Sequence, residues 1–155
     1  MREAFGGTFL MYLLMIAIVI FVTFLAETLK YVQAFKVKNT IINYIEQYEG
    51  FNDTVKGELE GDNGYLKKVG YKGTKPSYEY ITTIPQTAAV GEGKNIYCSE
   101  YGYCVKMEYC QGNIAYYRVI TNITLNFTAV VGVNGLRIEI PGETRYVSTS
   151  GITCS

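Results

Sequence analysis

The chain contains no histidine and no tryptophan among its 155 residues and only three prolines. It has no surplus of charge either, with 14 lysines plus arginines against 14 aspartates plus glutamates. Each shortage narrows what the protein does. Without histidine, the commonest general base and the commonest metal-binding nitrogen are missing. Balanced charge removes the electrostatic case for nucleic acid as a partner. No GxSxG nucleophile elbow and no GxxxxGKS phosphate loop occurs, and Gly91-Glu92-Gly93-Lys94 reads as an exposed loop between strands. DNGYLKK lacks the alternating carboxylates and closing glutamate of a calcium loop. The carboxylate pairs Glu58 with Glu60 and Glu46 with Glu49 sit in polar contexts and read as a solvated face, with nothing nearby to shift a carboxyl toward catalysis. The expectation is a protein that is not an enzyme, with no catalytic, cofactor-binding or metal-ligating residues.

What the sequence has in abundance is a long apolar run. After a seven-residue head, MREAFGG, the 19 residues from Thr8 to Ala26 carry no charge, glycine or proline. As a helix they rise about 28 Å, close to the thickness of a bilayer's hydrocarbon core. A buried core helix would keep a polar stripe, and this segment has none; its polar side chains, Thr8, Tyr12 and Thr23, stand near the ends. The run exceeds the core of an ordinary secretory signal, and Phe24 is a poor residue three positions before a cut at Ala26, so the segment is expected to be retained. Glycine and proline are absent from Glu27 to Glu49 as well, and Leu29, Val32, Phe35, Ile41, Ile42, Ile45 and Tyr48 approximate helical spacing. One helix of about 42 residues is predicted, half in lipid and half amphipathic, with Gly50 as its C′ stop.

Residues 51–76 form a glycine-rich, charged connector in which Asn52 or Asp53 can cap a short helix that Gly57 and Gly61 weaken. From Ser77 to the end the sequence reads as strands: SYEYITTI, then NIYC and YCVKMEYC flanking an SEYG turn, then RVITNITLNFTAVVGV. In that last run Val119, Ile123, Leu125, Phe127, Ala129, Val131 and Val133 alternate with Arg118, Asn122, Thr124, Asn126 and Thr128, the pattern of a half-buried strand. Asn134-Gly135 is a two-residue hairpin signal before the return strand LRIEI. It sets Val133 opposite Leu136, Val131 opposite Ile138 and Ala129 opposite Ile140. The predicted fold is α+β: a long N-terminal helix, transmembrane and then amphipathic, followed by a small antiparallel β-sheet domain packed on the outer half of that helix.

The four cysteines are Cys98, Cys104, Cys110 and Cys154. The first three are spaced C-x5-C-x5-C, unlike the CxxC pairs of zinc sites, and an even count beside a membrane segment favours two disulfides in an oxidising space. Of the three pairings available, Cys98–Cys104 across the local hairpin with Cys110–Cys154 is preferred. The cysteines place the domain outside the cytoplasm. A weak lysine excess on the C-terminal side of the membrane segment (Lys30, Lys36 and Lys38 against Arg2) argues the other way, but long domains translocate largely regardless of charge. Fifteen tyrosines, 13 of them from Tyr44 onward, suit either packing in a small β domain or contacts buried on assembly. Sequons stand at Asn52, Asn122 and Asn126, and matter only in a eukaryotic secretory route.

A hydrophobic N-terminal segment that runs straight into an amphipathic helix and then a small sheet domain resembles the pilin and pseudopilin design. AETLKYVQAFKVKNTIINYIEQYEGF is similar to the post-membrane helix of TadE-like pseudopilins of tight-adherence pili, and LRIEIPGETRYVS to their closing strands. The resemblance covers about residues 1–50 and 115–148. It implies a non-enzymatic, minor component of a bacterial surface pilus or secretion assembly, whose partners are the lipid bilayer and other pilin-like subunits or assembly proteins. It also implies a leader cut after Gly6-Gly7. A product starting at Thr8 has Tyr12 at its fifth position where most pilins carry glutamate, which favours a minor or priming role over a polymerising one. The alternative is a membrane-tethered binding or adhesion module for which the outer helix is only a stalk.

Overall fold

The computed structural model describes residues 2–75, 96–111, 114–127 and 133–148. Its first element, α1, spans Arg2–Gln47. With no glycine or proline from Thr8 to Glu49, nothing interrupts the backbone ladder, so the head expected at residues 1–7 is also drawn into the helix from Arg2 onward. The helix ends in a Schellman arrangement: the Gly50 amide donates to Ile45 O at 2.9 Å, and the left-handed residue is Glu49, with φ 54°. The C′ position is therefore Glu49 rather than Gly50, which follows as C″ with φ 138°.

Asn52 then caps α2 (Asp53–Glu60), its side chain accepting the Val55 amide at 2.9 Å. α2 buries Val55 and Leu59. A further turn of helix, α3 (Tyr65–Lys68), buries Leu66; the sequence did not announce it. From α3 the chain passes close along the sheet: Gly73 donates to Tyr101 O and Thr74 to Asn122 O. Here Gly102 has φ +85° and a Cβ on it would lie 2.4 Å from Gly73 C, so two backbones meet where only glycine fits.

The sheet is antiparallel, β1 (Ile96–Cys98), β2 (Tyr103–Gln111), β3 (Ile114–Phe127) and β4 (Val133–Glu143) side by side, with β5 (Val147–Ser148) pairing the start of β3. The segments SYEYITTI and Gly91–Lys94 lie outside the described residues, as do Ala129 and Val131 of the long strand. β3 pairs β4 with Thr121 opposite Ile140, Ile123 opposite Ile138 and Leu125 opposite Leu136. This corrects the register expected from an Asn134-Gly135 turn, which is displaced by eight residues. Asn134-Gly135 lies inside β4 instead, where the register shifts between Leu125 and Phe127 and Gly135 takes φ +74°, the signature of a bulge. An even displacement keeps every side chain on its own face, so the alternation that fixes faces cannot choose between the two registers. The observed one pairs β4 with β3 all the way back to Arg118 opposite Glu143, where the expected one would have left residues 118–125 without a β4 partner.

The core lies between α1 and the sheet. Ala34, Val37, Ile41 and Ile45 are buried against a layer that includes Tyr103, Val105, Val119, Ile123 and Ile140. Burying an isoleucine in such a layer stabilises by about 1.5–3 kcal/mol. Leu29, Val32 and Phe35, expected on the core stripe, are exposed on the opposite side. The reason is pitch: residues 34, 37, 41 and 45 form one line along the helix, and 29, 32 and 35 do not share it. β3 is also less half-buried than its alternation suggests, since Ile120 and Asn122 on the face away from α1 are buried too.

Candidate functional site

Two surfaces bear on function, the apolar half of α1 and the outer edge of the sheet domain. Along the first, every residue from 6 to 26 except Thr23 is exposed, with Phe9, Leu10, Met11 and Tyr12 each about two-thirds open. The helix is long and apolar enough to cross a membrane, and none of its most apolar window is buried by the rest of the chain. Its hydroxyls close on its own backbone: Thr23 Oγ1 donates to Val19 O at 2.8 Å and Thr28 Oγ1 to Phe24 O at 2.9 Å. That satisfies each one without water, as a bilayer interior requires. Gly6 and Gly7 sit on this helix with open space beside them. Each costs about 1 kcal/mol relative to alanine in a helix, so the pair weakens the first turns of α1.

In the sheet domain Cys98 and Cys104 form a disulfide that staples β1 to β2 directly across the ladder, as their spacing suggested. Cys110 is disulfide-bonded as well; its expected partner, Cys154, lies outside the described residues. Among the described residues, no group of three or more histidine, cysteine or acidic side chains is placed to hold a metal ion.

The tyrosines divide into two populations. Tyr71, Tyr103 and Tyr117 are core residues. Tyr97 and Tyr103 both donate to Glu60 of α2, Tyr97 at 3.0 Å, and so tie α2 to the stapled hairpin. Burial, then the hydrogen bond to Glu60 and its charge, push the Tyr97 phenol up to about 12, and the same causes raise Tyr103. Burial alone lifts Tyr71 to about 12. At neutral pH these phenols are hydrogen-bond donors, not bases. Lys56 stands 4.8 Å over the Tyr97 ring, beside a cavity of about 250 Å³ lined also by Phe51, Val105, Met107 and Tyr117.

The second population faces outward. Tyr109 stacks on Tyr116 with centroids 6.2 Å apart, and Tyr146, 67% exposed, meets both edge-on at 5.9 and 5.5 Å. Ile114 and Gln111 complete this patch. Behind it, the bulge at Glu108 turns that carboxylate between Lys106, at 3.2 Å, and Arg118, at 3.3 Å, while Arg118 also binds Glu143 at 2.8 Å. Local spacing does not reveal the Glu60 cluster, which joins residues 37 and 43 positions apart, or this network, which the bulge at Glu108 brings together across three strands. Of the carboxylate pair Glu58 and Glu60, Glu58 is exposed and Glu60 accepts from the two tyrosines; of Glu46 and Glu49, Glu46 accepts the Arg145 amide at 2.8 Å. Of the sequons, Asn122 is fully buried, and its side-chain amide has no hydrogen-bond partner among the described residues, so a glycan has no access to it in the folded chain.

No family model matches this chain, and no curated protein or solved structure does.

Proposed function

We propose that this protein is a membrane-anchored, pilin-like minor component of a bacterial surface pilus or secretion assembly, resembling TadE-like pseudopilins, with its sheet domain outside the cytoplasm. The observation that carries this reading is the division of labour within a single helix: α1 is exposed along its apolar half, Thr23 aside, and core-bearing along its outer half, with no break between. A helix of that kind holds a folded domain rigidly at the membrane and offers lipid-facing side chains to neighbouring helices, where association runs on close packing rather than on burial from water. The domain's disulfides support an oxidising location. The partners under this reading are lipid and other pilin-like subunits or assembly proteins, and the chain acts by contact, not by chemistry.

Shearing the surface of cells that express the protein, then probing the sheared and membrane fractions, tests the role. Recovery with surface fibres, or loss of fibre assembly in a strain carrying Leu14→Lys or Ile18→Lys, is the expected result. Normal assembly with either charge in the span would overturn the helix-packing mechanism. N-terminal sequencing of the recovered chain reports whether Gly6-Gly7 is cut. The alternative, a membrane-tethered binding or adhesion module, is favoured by one observation, the outward tyrosine patch of Tyr109, Tyr116 and Tyr146. Under that reading Tyr146→Ala abolishes adhesion and leaves fibres unchanged.

A further inference from the structure

Three contacts fix how far along α1 the sheet reaches. The Arg145 amide donates to Glu46 Oε1 at 2.8 Å, Lys38 Nζ donates to Pro141 O at 3.4 Å, and Thr121 Oγ1 donates to Ala34 O at 3.4 Å. From Glu46 to Lys38 the helix descends about 12 Å, and from Arg145 to Pro141 the chain descends about 13 Å, so helix and hairpin run nearly side by side. β3 and β4 do not stop at the Thr121–Ile140 pair. They continue through Leu125 opposite Leu136 to Phe127 opposite Val133. The four residues from Thr121 to Leu125 cover about 13 Å, equal to about nine residues of helix, which sets the Leu125–Leu136 pair level with Leu25.

The burial of α1 agrees with this level. Thr23 is the one partly covered residue between 6 and 26, and Glu27 is only 6% exposed. Both lie on the helix face that carries Ala34 and Ile41 against the sheet. The covered face of α1 thus extends below the end of the apolar run. At this level the hairpin presents Leu136, 49% exposed, and the chain carries no charge at all from Val119 to Leu136.

We propose that the β3–β4 pair at Leu125–Leu136 makes a second membrane contact, seating Leu136 in the interfacial layer of the bilayer beside the last turn of the span. This rests on the reading of α1 as a membrane span. With the apolar run to Ala26 in hydrocarbon, a strand pair level with Leu25 lies at the boundary of headgroups and acyl chains. Its partner is therefore lipid, by continuity with the span itself. The depth, about 3 Å below Glu27, puts Leu136 at the outer margin of the layer into which interfacial side chains insert. The Glu27–Lys30 ion pair, 2.8 Å long, marks the same boundary on the helix. A single helix leaves its domain free to spin about the membrane normal and to lean; a second contact on one side of it selects which face of the sheet looks toward neighbours.

The test uses the full chain with its native disulfides intact, reconstituted in phosphatidylcholine–phosphatidylglycerol vesicles. An environment-sensitive fluorophore is attached to one introduced thiol at a time: Leu136→Cys, with Leu14→Cys inside the span and Tyr146→Cys at the level of Glu46 as references. The expected result is that the Leu136 probe is quenched by nitroxide-bearing lipids and is several-fold less accessible to aqueous iodide than the Tyr146 probe. Iodide access equal to that at Tyr146 overturns the proposal. So does shielding from iodide without lipid quenching, the pattern expected if a second copy covers this face. Lipid quenching at Leu14 but not at Leu136 leaves the span reading standing and removes only the hairpin contact, whereas no lipid quenching at Leu14 removes the span reading and this inference with it.

Discussion

The two halves of α1 are made of similar residues and do opposite things. Ile16, Ile18 and Ile20 in the inner half are exposed; Ile41 and Ile45 in the outer half are fully buried. Hydrophobicity alone does not separate them. What separates them is that the outer half places its small and branched residues on one line, Ala34, Val37, Ile41 and Ile45, against which a sheet can close, whereas the inner half is apolar on every side and only Thr23 on it is partly covered. One half obtains its apolar environment from its own chain, the other from whatever surrounds it.

Substitution in matched pairs gives the sharpest way to break this contrast. Ile41→Ala removes buried methyl groups from the core and is expected to lower stability by about 2–5 kcal/mol, while Ile18→Ala leaves the domain's melting unchanged. Thermal unfolding in detergent, followed by the near-ultraviolet circular dichroism of the tyrosines, reads both. Equal losses would mean that the inner half also packs on the domain.

Alkaline pH should act on one region only. Tyr71 and Tyr97 are pushed up to about 12 in the folded chain, against an ordinary 10.0 once unfolded. The folded state therefore keeps protons that the unfolded state releases, and the stability this contributes is intact below pH 10 and is lost as pH rises toward about 12. The tertiary tyrosine signal is expected to fade across that window while the far-ultraviolet signal of the apolar helix persists. Simultaneous loss of both would contradict the separation.

Smaller effects are expected where α1 gives way to the domain. Asn52→Ala removes the cap of α2 and is expected to cost about 1 kcal/mol by urea titration. Glu49→Gly relieves a left-handed residue at the end of α1 and is expected to raise stability by about 0.5–1 kcal/mol, visible as a higher melting temperature. A fall instead would mean that the Glu49 side chain contributes more than its backbone conformation costs.

Much of this architecture was legible in the sequence, and the parts that were not share a cause. The uninterrupted helix, the β-rich second half and the Cys98–Cys104 staple follow from local signals: the absence of breakers, period-two alternation and a six-residue spacing. The hairpin register was misread because alternation is blind to even displacements, and Asn134-Gly135 serves a bulge as well as a turn, since both need glycine at positive φ. The stripe on the outer helix was misread at Leu29, Val32 and Phe35 because apolar residues on both sides of a helix yield more than one plausible line. In the candidate site, Glu60 reaches Tyr97 and Tyr103 across 37 and 43 residues of sequence, a juxtaposition no local spacing encodes. The resemblance to pilin-like proteins is carried by the order of segments, not by any one local motif.

The unbroken backbone from Thr8 to Gln47 also makes α1 a lever. No glycine or proline between those residues offers a hinge, and the outer arm is clamped to the sheet by packing along its length. A tilt of about 20°, ordinary for a membrane-crossing helix, would swing Gln47 sideways by about 11 Å relative to Ala26 and carry the sheet with it. Bilayer thickness and the crowding of neighbouring helices would then be read out as displacement of the tyrosine patch.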